Sequence, residues 1–283
     1  MNDLQQKQLE ILKEFIRVCE KYNLTYFLVG GSCLGAARHQ GFIPWDDDID
    51  VGMPREDFDK YVELQKEYDG TKYFIQTWKS DPHYTYNYAK LRDSDTTYIE
   101  NFYYKHQINH GVWIDIFPID GFAYKFDKPR EKYAHLVSAV WRQSFMSYFP
   151  QMRRKFSKGT WFTDLFINLF AILTWPLDIN HWRRKHAEKL LTKVPFKDAE
   201  VVGNMCGTNK KKEAMDKAIY SETTKLQFED IEVCVPKEYD RYLTLLFNDW
   251  RKWPPKEKQV GHHHDKGLSL TQGYKSYMKE HKI

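Results

Sequence analysis

Residues 46–50 read DDDID, so four carboxylates stand within five positions of the chain. Ile49 and Val51 alternate with Asp48 and Asp50, which is the period-two pattern of a strand with one buried face. A solvated acidic loop is the alternative, and the two apolar residues argue against it. Because buried carboxylates need a counter-charge, any fold of this chain must bring something cationic to this segment.

A divalent metal ion is the cation that this spacing favours. On a strand, Asp48 and Asp50 point to one face with Cα atoms about 7 Å apart. Carboxylates placed in this way can hold metal ions roughly 3.5 to 4 Å apart for in-line phosphoryl displacement. Hard oxygen ligands favour Mg²⁺ or Mn²⁺. An EF-hand is excluded, because Val51 stands where its glycine is needed and Asp57 stands where its final glutamate is needed.

A glycine turn lies upstream of the acidic run. The segment TYFLV predicts a short buried strand that runs into Gly30, Gly31 and Ser32. Residues 32–40 predict a short helix that Ser32 caps, with Gly41 as its left-handed C-terminal residue. Backbone N–H groups at such a helix start can bind phosphate. Alone this signal is weak, since no GxxxxGK[ST] or GxGxxG motif accompanies it.

Three further strands are predicted, at residues 73–77, 86–91 and 112–117. Pro118 is expected to end the last of them. The period of two puts Lys90 and Arg92 on one face, where both can neutralise phosphate. Arg38 is a third candidate cation. Each of the three is equally compatible with an ordinary surface charge.

The stretch at residues 26–61, YFLVGGSCLGAARHQGFIPWDDDIDVGMPREDFDKY, resembles the signature of the LicD family. Members of that family are similar to the nucleotidyltransferase superfamily and include phosphocholine transferases of bacterial surface glycans. Fukutin-related ribitol-phosphate transferases are similar in the same stretch. Further matches follow at residues 88–93, 111–118, 235–240 and 253–255. The resemblance covers about residues 5–122 well and the C-terminal end partially.

The resemblance implies roles for individual residues. Asp48 and Asp50 match the metal-binding pair, Asp115 matches a third carboxylate on the neighbouring strand, and Gly31 and Ser32 match a Gly-Ser turn. The implied reaction moves phosphocholine, or a similar phospho-alcohol, from a CDP-linked donor such as CDP-choline to a sugar hydroxyl. Teichoic acid, lipopolysaccharide or a related glycan is the implied acceptor. One of the three aspartates would assist the hydroxyl, and the sequence does not single it out.

Two other functions stay open at this point. A true nucleotidyltransferase would leave the nucleotide on its acceptor and release pyrophosphate. A glycan-binding or scaffold protein would keep the fold without turnover, although the intact set of Asp48, Asp50 and Asp115 counts against it.

The patterns predict an α/β (α+β) fold of the nucleotidyltransferase type, with a small mixed sheet flanked by helices. We expect a catalytic core over residues 1–128, a helical and basic region over residues 129–222, and a C-terminal strand and helix over residues 223–283 that complete the core. Within the middle region, helices are predicted at residues 133–149, 161–175 and 181–191.

Charge is concentrated in one part of the chain. The net charge of +4 is the remainder of 43 basic and 39 acidic residues, so a nucleic-acid partner is not expected. Residues 142–193 hold ten basic and three acidic residues around the apolar stretch 161–177. That stretch is shorter than the roughly 20 residues of a membrane span. It predicts either a buried helix or a helix on an anionic membrane surface, near a lipid-linked acceptor.

Cysteine usage and the N-terminal sequence predict a cytoplasmic location, at the inner face of the membrane if residues 142–193 bind lipid. The four cysteines form no CxxC pair, and the start lacks the apolar segment of a secretion signal.

Two groups of side chains allow opposing interpretations. Residues 102–105 (FYYK), with Trp78, Trp113 and Trp141, could surround a quaternary ammonium such as choline, or could be core. The run of three histidines at residues 262–264 predicts an exposed loop rather than a metal cluster, because nothing else in the sequence supports one.

Overall fold

The structure is a computed structural model that describes residues 1–101, 103–104, 106–122, 161–174, 179–207, 209–261, 263 and 265–283. Several predictions lie outside the described residues: the helix at 133–149 and the side chains of Phe102, Lys105, Trp141, His262 and His264.

Within these residues the chain forms seven α-helices: α1 (Asp3–Lys21), α2 (Gly30–His39), α3 (Arg55–Val62), α4 (Trp161–Thr174), α5 (Ile179–Leu191), α6 (Tyr239–Phe247) and α7 (Tyr274–His281). The strands of the same residues are β1 (Phe27–Leu28), β2 (Asp50–Pro54), β3 (Tyr73–Gln76), β4 (Ala89–Asp93), β5 (Thr97–Glu100), β6 (Val112–Phe122), β7 (Val201–Gly203), β8 (Met215–Asp216), β9 (Thr223–Phe228), β10 (Ile231–Pro236) and β11 (Asp265–Ser269). The predicted α/β (α+β) class is confirmed.

The main sheet has the strand order β1-β2-β6-β4-β3, with the long strand β6 in the middle. β2 and β6 run parallel, and the other pairs are antiparallel, so the sheet is mixed. β7 pairs with the far end of β6 and β8 pairs with β7. β9 and β10 form a hairpin, and β11 pairs with β5. The C-terminal part of the chain thereby returns to the N-terminal core.

The opening helix α1 supplies much of the core. Leu9, Leu12, Phe15 and Val18 are buried along one face, at the spacing of an amphipathic helix, and pack over the sheet. Burial of each such side chain contributes about 1.5–3 kcal/mol. The other end of this face carries buried glutamines, which hold the site described below.

The prediction that Pro118 ends its strand is wrong, because β6 continues to Phe122. Pairing with β4 stops opposite Ile116, and pairing with β7 begins at Asp120. Pro118 stands where β6 changes partners on that side. A residue without an N–H group costs no ladder hydrogen bond at such a place.

Two other local predictions need correction. Helix α2 begins at Gly30, so Ser32 lies inside it and does not cap it, and Gln40 rather than Gly41 takes the left-handed conformation, with φ 56°. Residues 129–222 are not helical throughout, because β7 and β8 lie there and β7 joins the sheet.

In the part of the chain that the structure describes, no helix has both the length and the apolar character needed to span a membrane.

Candidate active site

The predicted carboxylates share a site because β2 and β6 are parallel neighbours. Asp50, the first residue of β2, lies opposite Asp115 of β6. Asp48 precedes the strand, and Asp115 N donates to Ile49 O at 2.8 Å, which extends the ladder toward it. Residues opposite one another in a sheet present their side chains on the same face. All three carboxylates line one cavity.

Lys90 adds a cation to the same row of the sheet. It lies opposite Asp115 in the pair of β4 with β6, and its Nζ is 2.8 Å from Asp115 Oδ1 and 4.0 Å from Glu100 Oε2. The ammonium is also 4.0 Å from the centroid of the Trp113 ring, within cation–π range. With a side chain that is 1% exposed, Lys90 is a fixed internal charge and not a surface one.

Two glutamines of α1 hold the acidic segment from behind. Gln5 Nε2 donates to Asp46 O at 2.9 Å, and Gln8 Nε2 donates to Asp47 O at 2.7 Å. Both glutamines are buried. Carbonyl groups of an irregular buried segment need such partners, so α1 fixes the main chain that presents the aspartates.

The glycine turn is built directly against the carboxylates. Gly30 has φ +55°, a conformation that disfavours side chains, and a Cβ there would lie 3.1 Å from Asp50 Oδ2. A Cβ on Gly31 would lie 2.9 Å from Asp46 Oδ2. Ser32 Oγ accepts a hydrogen bond from Asp50 N at 2.8 Å. Ser32 therefore positions the first residue of β2.

A cavity of about 950 Å³ opens at this point. Seven of the nine predicted site residues line it: Gly30, Gly31, Arg38, Asp48, Asp50, Lys90 and Asp115. Ser32 and Arg92 are not among its described lining residues. Asp46, which the sequence did not single out as a site residue, also lines it.

Arg92 and Arg38 have different surroundings. Arg92 is fully buried beside the Trp113 ring, and it donates from Nε to Gln76 Oε1 and from Nη1 to Gly111 O, both at 2.6 Å. Arg92 therefore links a side chain of β3 to the main chain just before β6. Arg38 faces the cavity, where its Nη1 donates to Trp250 O at 2.8 Å and Lys252 O at 3.1 Å, which fixes the segment after α6.

An aromatic wall, formed by Tyr86, Tyr88 and Phe117, lines one side of the cavity. The Tyr86 and Tyr88 rings stack at 4.8 Å, and Tyr88 and Phe117 lie 4.6 Å apart between centroids. Glu100 lines the cavity as well. Trp78 and Trp113, which the sequence suggested for a cage, are not among the described lining residues. The Trp113 ring instead forms the cation–π contact with Lys90.

His263 is a site residue that the sequence reasoning missed. Its Nδ1 lies 2.9 Å from Asp47 Oδ1 and 3.8 Å from Asp48 Oδ2, and its N donates to Asp47 Oδ2 at 2.9 Å. Its side chain is 24% exposed and lines the cavity, so the prediction of an exposed loop is wrong here. The pairing of β11 with β5 brings it across 216 residues of chain to Asp47.

The connection that follows β7 was also missed. Asn204, Cys206, Asn209 and Glu213 line the cavity from a region that was expected to be helical. Asn204 Oδ1 accepts from Cys206 N at 2.9 Å, and burial raises the pKa of Glu213 to about 7.

Comparison with known proteins identifies a family that this chain resembles. Residues 23–158 match the family model described as LicD/FKTN/FKRP, nucleotidyltransferase domain. The chain is 29% identical over 265 residues to the lipopolysaccharide cholinephosphotransferase LicD of Haemophilus influenzae, which covers 90% of this chain and 92% of that protein. The chain is therefore similar to the LicD family over most of its length. A stretch of 56 residues is also 43% identical to the ribitol 5-phosphate transferase FKRP of Homo sapiens and of Mus musculus, over 20% of this chain and 11% of those proteins.

The acidic group of this protein is short of positive charge. Burial, followed by the negative charge of neighbouring carboxylates, raises the pKa of Asp46 to about 6 and that of Asp48 to about 7. The same causes raise the pKa of Asp50 well above its usual range. None of the described residues forms an ion pair with Asp50.

The donors of this site fit a hard divalent cation. Asp48, Asp50 and Asp115 offer oxygen alone, which suits Mg²⁺ or Mn²⁺, and a divalent ion would remove the cost of burying Asp50 unbalanced. Ligand atoms of Asp47, Asp48 and His263 also lie within 4.8 Å of one another. Although burial lowers it, the hydrogen bond to Asp47 and the charge of Asp48 raise the pKa of His263 to about 9. A protonated ring is an ion-pair partner and not a metal ligand.

Proposed function

We propose that this protein transfers phosphocholine, or a similar phospho-alcohol, from a CDP-linked donor such as CDP-choline to a sugar hydroxyl of a cell-surface glycan. Lipopolysaccharide, teichoic acid and related glycans are the acceptor class. The observation that carries the proposal is the cavity, in which an unbalanced acidic group and a glycine turn share one space with an aromatic wall. The printed names of the relatives, a cholinephosphotransferase and a ribitol 5-phosphate transferase, support phospho-alcohol transfer.

Mg²⁺, or Mn²⁺, is the proposed cofactor, with Asp48, Asp50 and Asp115 as the residues that hold it. When bound there, such an ion neutralises charge on the donor pyrophosphate and on the departing CMP.

The chain's own residues have defined tasks in this proposal. Because Gly30 N donates to Tyr242 Oη at 2.8 Å, the main-chain N–H group at Gly31 is the one that binds a donor phosphate. Lys90, held by Asp115, supplies a fixed positive charge beside it. The acceptor oxygen forms a bond to the phosphorus that carries the alcohol, while the bond from that phosphorus to the CMP oxygen breaks. CMP leaves with the electron pair, and a carboxylate of the acidic group receives the hydroxyl proton.

The aromatic wall favours choline as the transferred alcohol. A quaternary ammonium is attracted to the faces of aromatic rings and has no hydrogen bonds to donate. A polyol, in contrast, has hydroxyl groups that need hydrogen-bond partners. The Glu100 carboxylate lines the same cavity, where Arg92 Nη2 at 3.4 Å and Lys90 Nζ at 4.0 Å are its ion-pair partners. We expect the reaction in the cytoplasm, at the inner face of the membrane, where a lipid-linked acceptor would be found.

A screen of CDP-linked donors tests the proposal. The protein is incubated with Mg²⁺ and CDP-choline, CDP-ethanolamine or CDP-ribitol, with and without candidate glycans, and CMP release is measured. We expect glycan-dependent CMP release, fastest with CDP-choline. Release of pyrophosphate instead would identify a nucleotidyltransferase, and an absence of both turnover and donor binding would indicate a scaffold.

A matched pair of variants at the aromatic wall tests the choline assignment. Tyr86→Leu removes the ring and should raise KM for CDP-choline by about tenfold, the scale of one cation–π contact. Tyr86→Phe keeps the ring and should leave KM nearly unchanged. Equal effects of Tyr86→Leu on CDP-choline and CDP-ribitol would contradict the assignment without touching the transfer chemistry.

A further inference from the structure

Helix α4 turns its apolar side away from the protein. Phe162, Leu169 and Leu173 fall on one side of the helix and are 80%, 49% and 69% exposed. On the opposite side, Asp164 is 2% exposed. An ordinary surface helix of a globular protein shows the reverse pattern, with its apolar stripe toward the core. The exposed side of α4 is therefore suited to an apolar surrounding.

The next helix, α5, presents a basic face with an aromatic residue. Arg184, Ala187 and Leu191 are buried on its inner side. Trp182, Lys185 and Lys189 are exposed on the outer side, and Trp182 is 65% exposed. Tryptophan and lysine are the residues that anchor proteins at the boundary between water and lipid.

These two helices concentrate the exposed apolar surface of the molecule. Among the described residues, thirteen large hydrophobic side chains are exposed, and seven of them belong to α4 and α5. The surrounding segment 142–193 carries ten basic and three acidic residues. Large apolar side chains next to an excess of positive charge match the two parts of an anionic bilayer, its acyl region and its head groups.

We propose that α4 and α5 dock this protein on an anionic lipid bilayer. The rings and aliphatic chains of α4 enter the boundary between head groups and acyl chains, while the lysines of α5 contact the lipid phosphates. The proposal resolves the choice between a buried and an interfacial helix that the sequence left open at residues 161–177, in favour of the interface.

The docking surface is joined to the active-site cavity by hydrogen bonds. Arg184 of α5 donates from its guanidinium to Tyr84 O and Pro82 O, and Asn87 Nδ2 donates to Arg184 O at 3.1 Å. The segment held in this way runs directly into the aromatic wall at Tyr86 and Tyr88. Docking would therefore set the cavity at a fixed place relative to the bilayer, where an acceptor carried on a lipid can reach it.

Vesicle sedimentation tests the proposal and needs no substrate, so its outcome is independent of the transfer reaction. The full chain is mixed with vesicles of phosphatidylcholine alone, or of phosphatidylcholine and phosphatidylglycerol. We expect sedimentation with the mixed vesicles at low salt, and weaker binding as salt screens the lysines. Absence of binding to the mixed vesicles at low salt would overturn the proposal.

Two sets of matched variants locate the contact. Phe162→Ser with Leu173→Ser should lower the partition constant by about a hundredfold, roughly tenfold per side chain. The control pair Leu268→Ser with Val260→Ser, at side chains that are 42% and 56% exposed elsewhere, should not change it. Lys185→Glu with Lys189→Glu should lower it by at least about fivefold per residue, and Lys66→Glu with Lys225→Glu should have little effect. Equal losses in test and control variants would overturn the proposal.

Folding and self-association are followed in the same samples. All substituted side chains are exposed, so the melting temperatures should agree with that of the wild type. Quenching of tryptophan fluorescence by brominated lipid reports insertion directly. It should decrease in Trp182→Phe, and part of it should remain from Trp161, which is 49% exposed on α4. A lipid-free dimer that Phe162→Ser with Leu173→Ser converts to monomer, with no vesicle binding by the wild type, would assign the face to a second copy of the chain.

Discussion

Two buried acidic groups lie along the central strand β6, and they are balanced in opposite ways. Asp120 accepts two hydrogen bonds from the guanidinium of Arg55, at 2.6 Å from Nε and 2.8 Å from Nη2. Five residues earlier, Asp115 pairs with Lys90. Both line the cavity, together with Asp48 and Asp50. Asp50 forms no ion pair with any described residue.

The comparison distinguishes Asp120, whose charge stabilises the fold, from the cavity aspartates, whose charges are available to a ligand. A bidentate pair such as Arg55 with Asp120 satisfies both partners within the chain. A surplus of carboxylates costs stability until something else neutralises it. Substitutions on the two sides of this comparison should therefore fail in different assays.

Loss of a cavity carboxylate should have the largest effect. Asp48→Asn, Asp50→Asn and Asp115→Asn remove charge at nearly constant volume. We expect CMP release to fall by roughly a thousandfold or more, because a metal ligand worth several kcal/mol is lost at ~1.4 kcal/mol per factor of ten. The melting temperature should hold or rise for Asp48→Asn and Asp50→Asn, since repulsion is relieved. It should fall for Asp115→Asn, which also weakens the ion pair with the buried Lys90. Asp69→Asn, in an exposed turn, is the control, and a fully active Asp50→Asn or Asp115→Asn enzyme would show that the active site lies elsewhere.

Breaking the balanced pair should give the opposite result. Asp120→Ala removes the buried partner of Arg55 and leaves the half-exposed Asp59, 3.3 Å from Arg55 Nη1, which should lower the free energy of unfolding by about 3–5 kcal/mol. Turnover per folded molecule should be unchanged. Replacing both partners, as Arg55→Met with Asp120→Leu, should recover most of the stability in chemical denaturation. If the double variant is as unstable as the single one, the pair does not act as a closed unit.

Metal binding should sharpen the comparison without any turnover assay. If Mg²⁺ binds the folded chain at the cavity, it should raise the melting temperature, by an amount equivalent to about 2.7 kcal/mol at a hundred times Kd. Asp50→Asn should abolish the shift, and Asp120→Ala should retain it from a lower starting value. A shift of the same size in both variants would mean that the ion binds at another place.

The smallest effects are expected at Asp46 and Asp47. Asp46 lines the cavity beside Gly31, and Asp47 holds His263. Asparagine keeps an acceptor oxygen at each position, so we expect activity within about tenfold of the wild type, the scale of one weakened hydrogen bond. Activities as low as that of Asp50→Asn would extend the metal site to these residues.

The parts of the site that the sequence predicted are those that depend on short-range patterns. The alternation around Asp48 and Asp50 predicted a strand, which begins at Asp50. The place of Asp115 on the neighbouring strand was implied by the resemblance to the LicD family. Lys90, which the sequence left equally compatible with a surface charge, lines the cavity. Arg92 follows the same period-two pattern, but it donates to Gln76 and Gly111 and does not line the cavity. The sequence of a strand does not tell which groups its side chains meet on neighbouring strands.

The missed residues come from long-range pairing. His263 reaches Asp47 only because β11 pairs with β5, and the short strand β7 has too little pattern to be recognised. Gln5 and Gln8 look like surface residues of an amphipathic helix, yet they are buried because the acidic segment needs donors for its carbonyls. A polar residue that pairs with main chain distant in sequence leaves no local signal.

The alternation of β6 has a practical consequence for handling this protein. Asp115 and Asp120 are an odd number of positions apart, so their side chains leave opposite faces of the strand, with Asp115 toward the cavity and Asp120 toward Arg55 of α3. We therefore expect the hydrophobic core to fold in the absence of a metal ion. A preparation stripped with EDTA should keep its circular dichroism spectrum and regain activity on simple addition of Mg²⁺, without a refolding step.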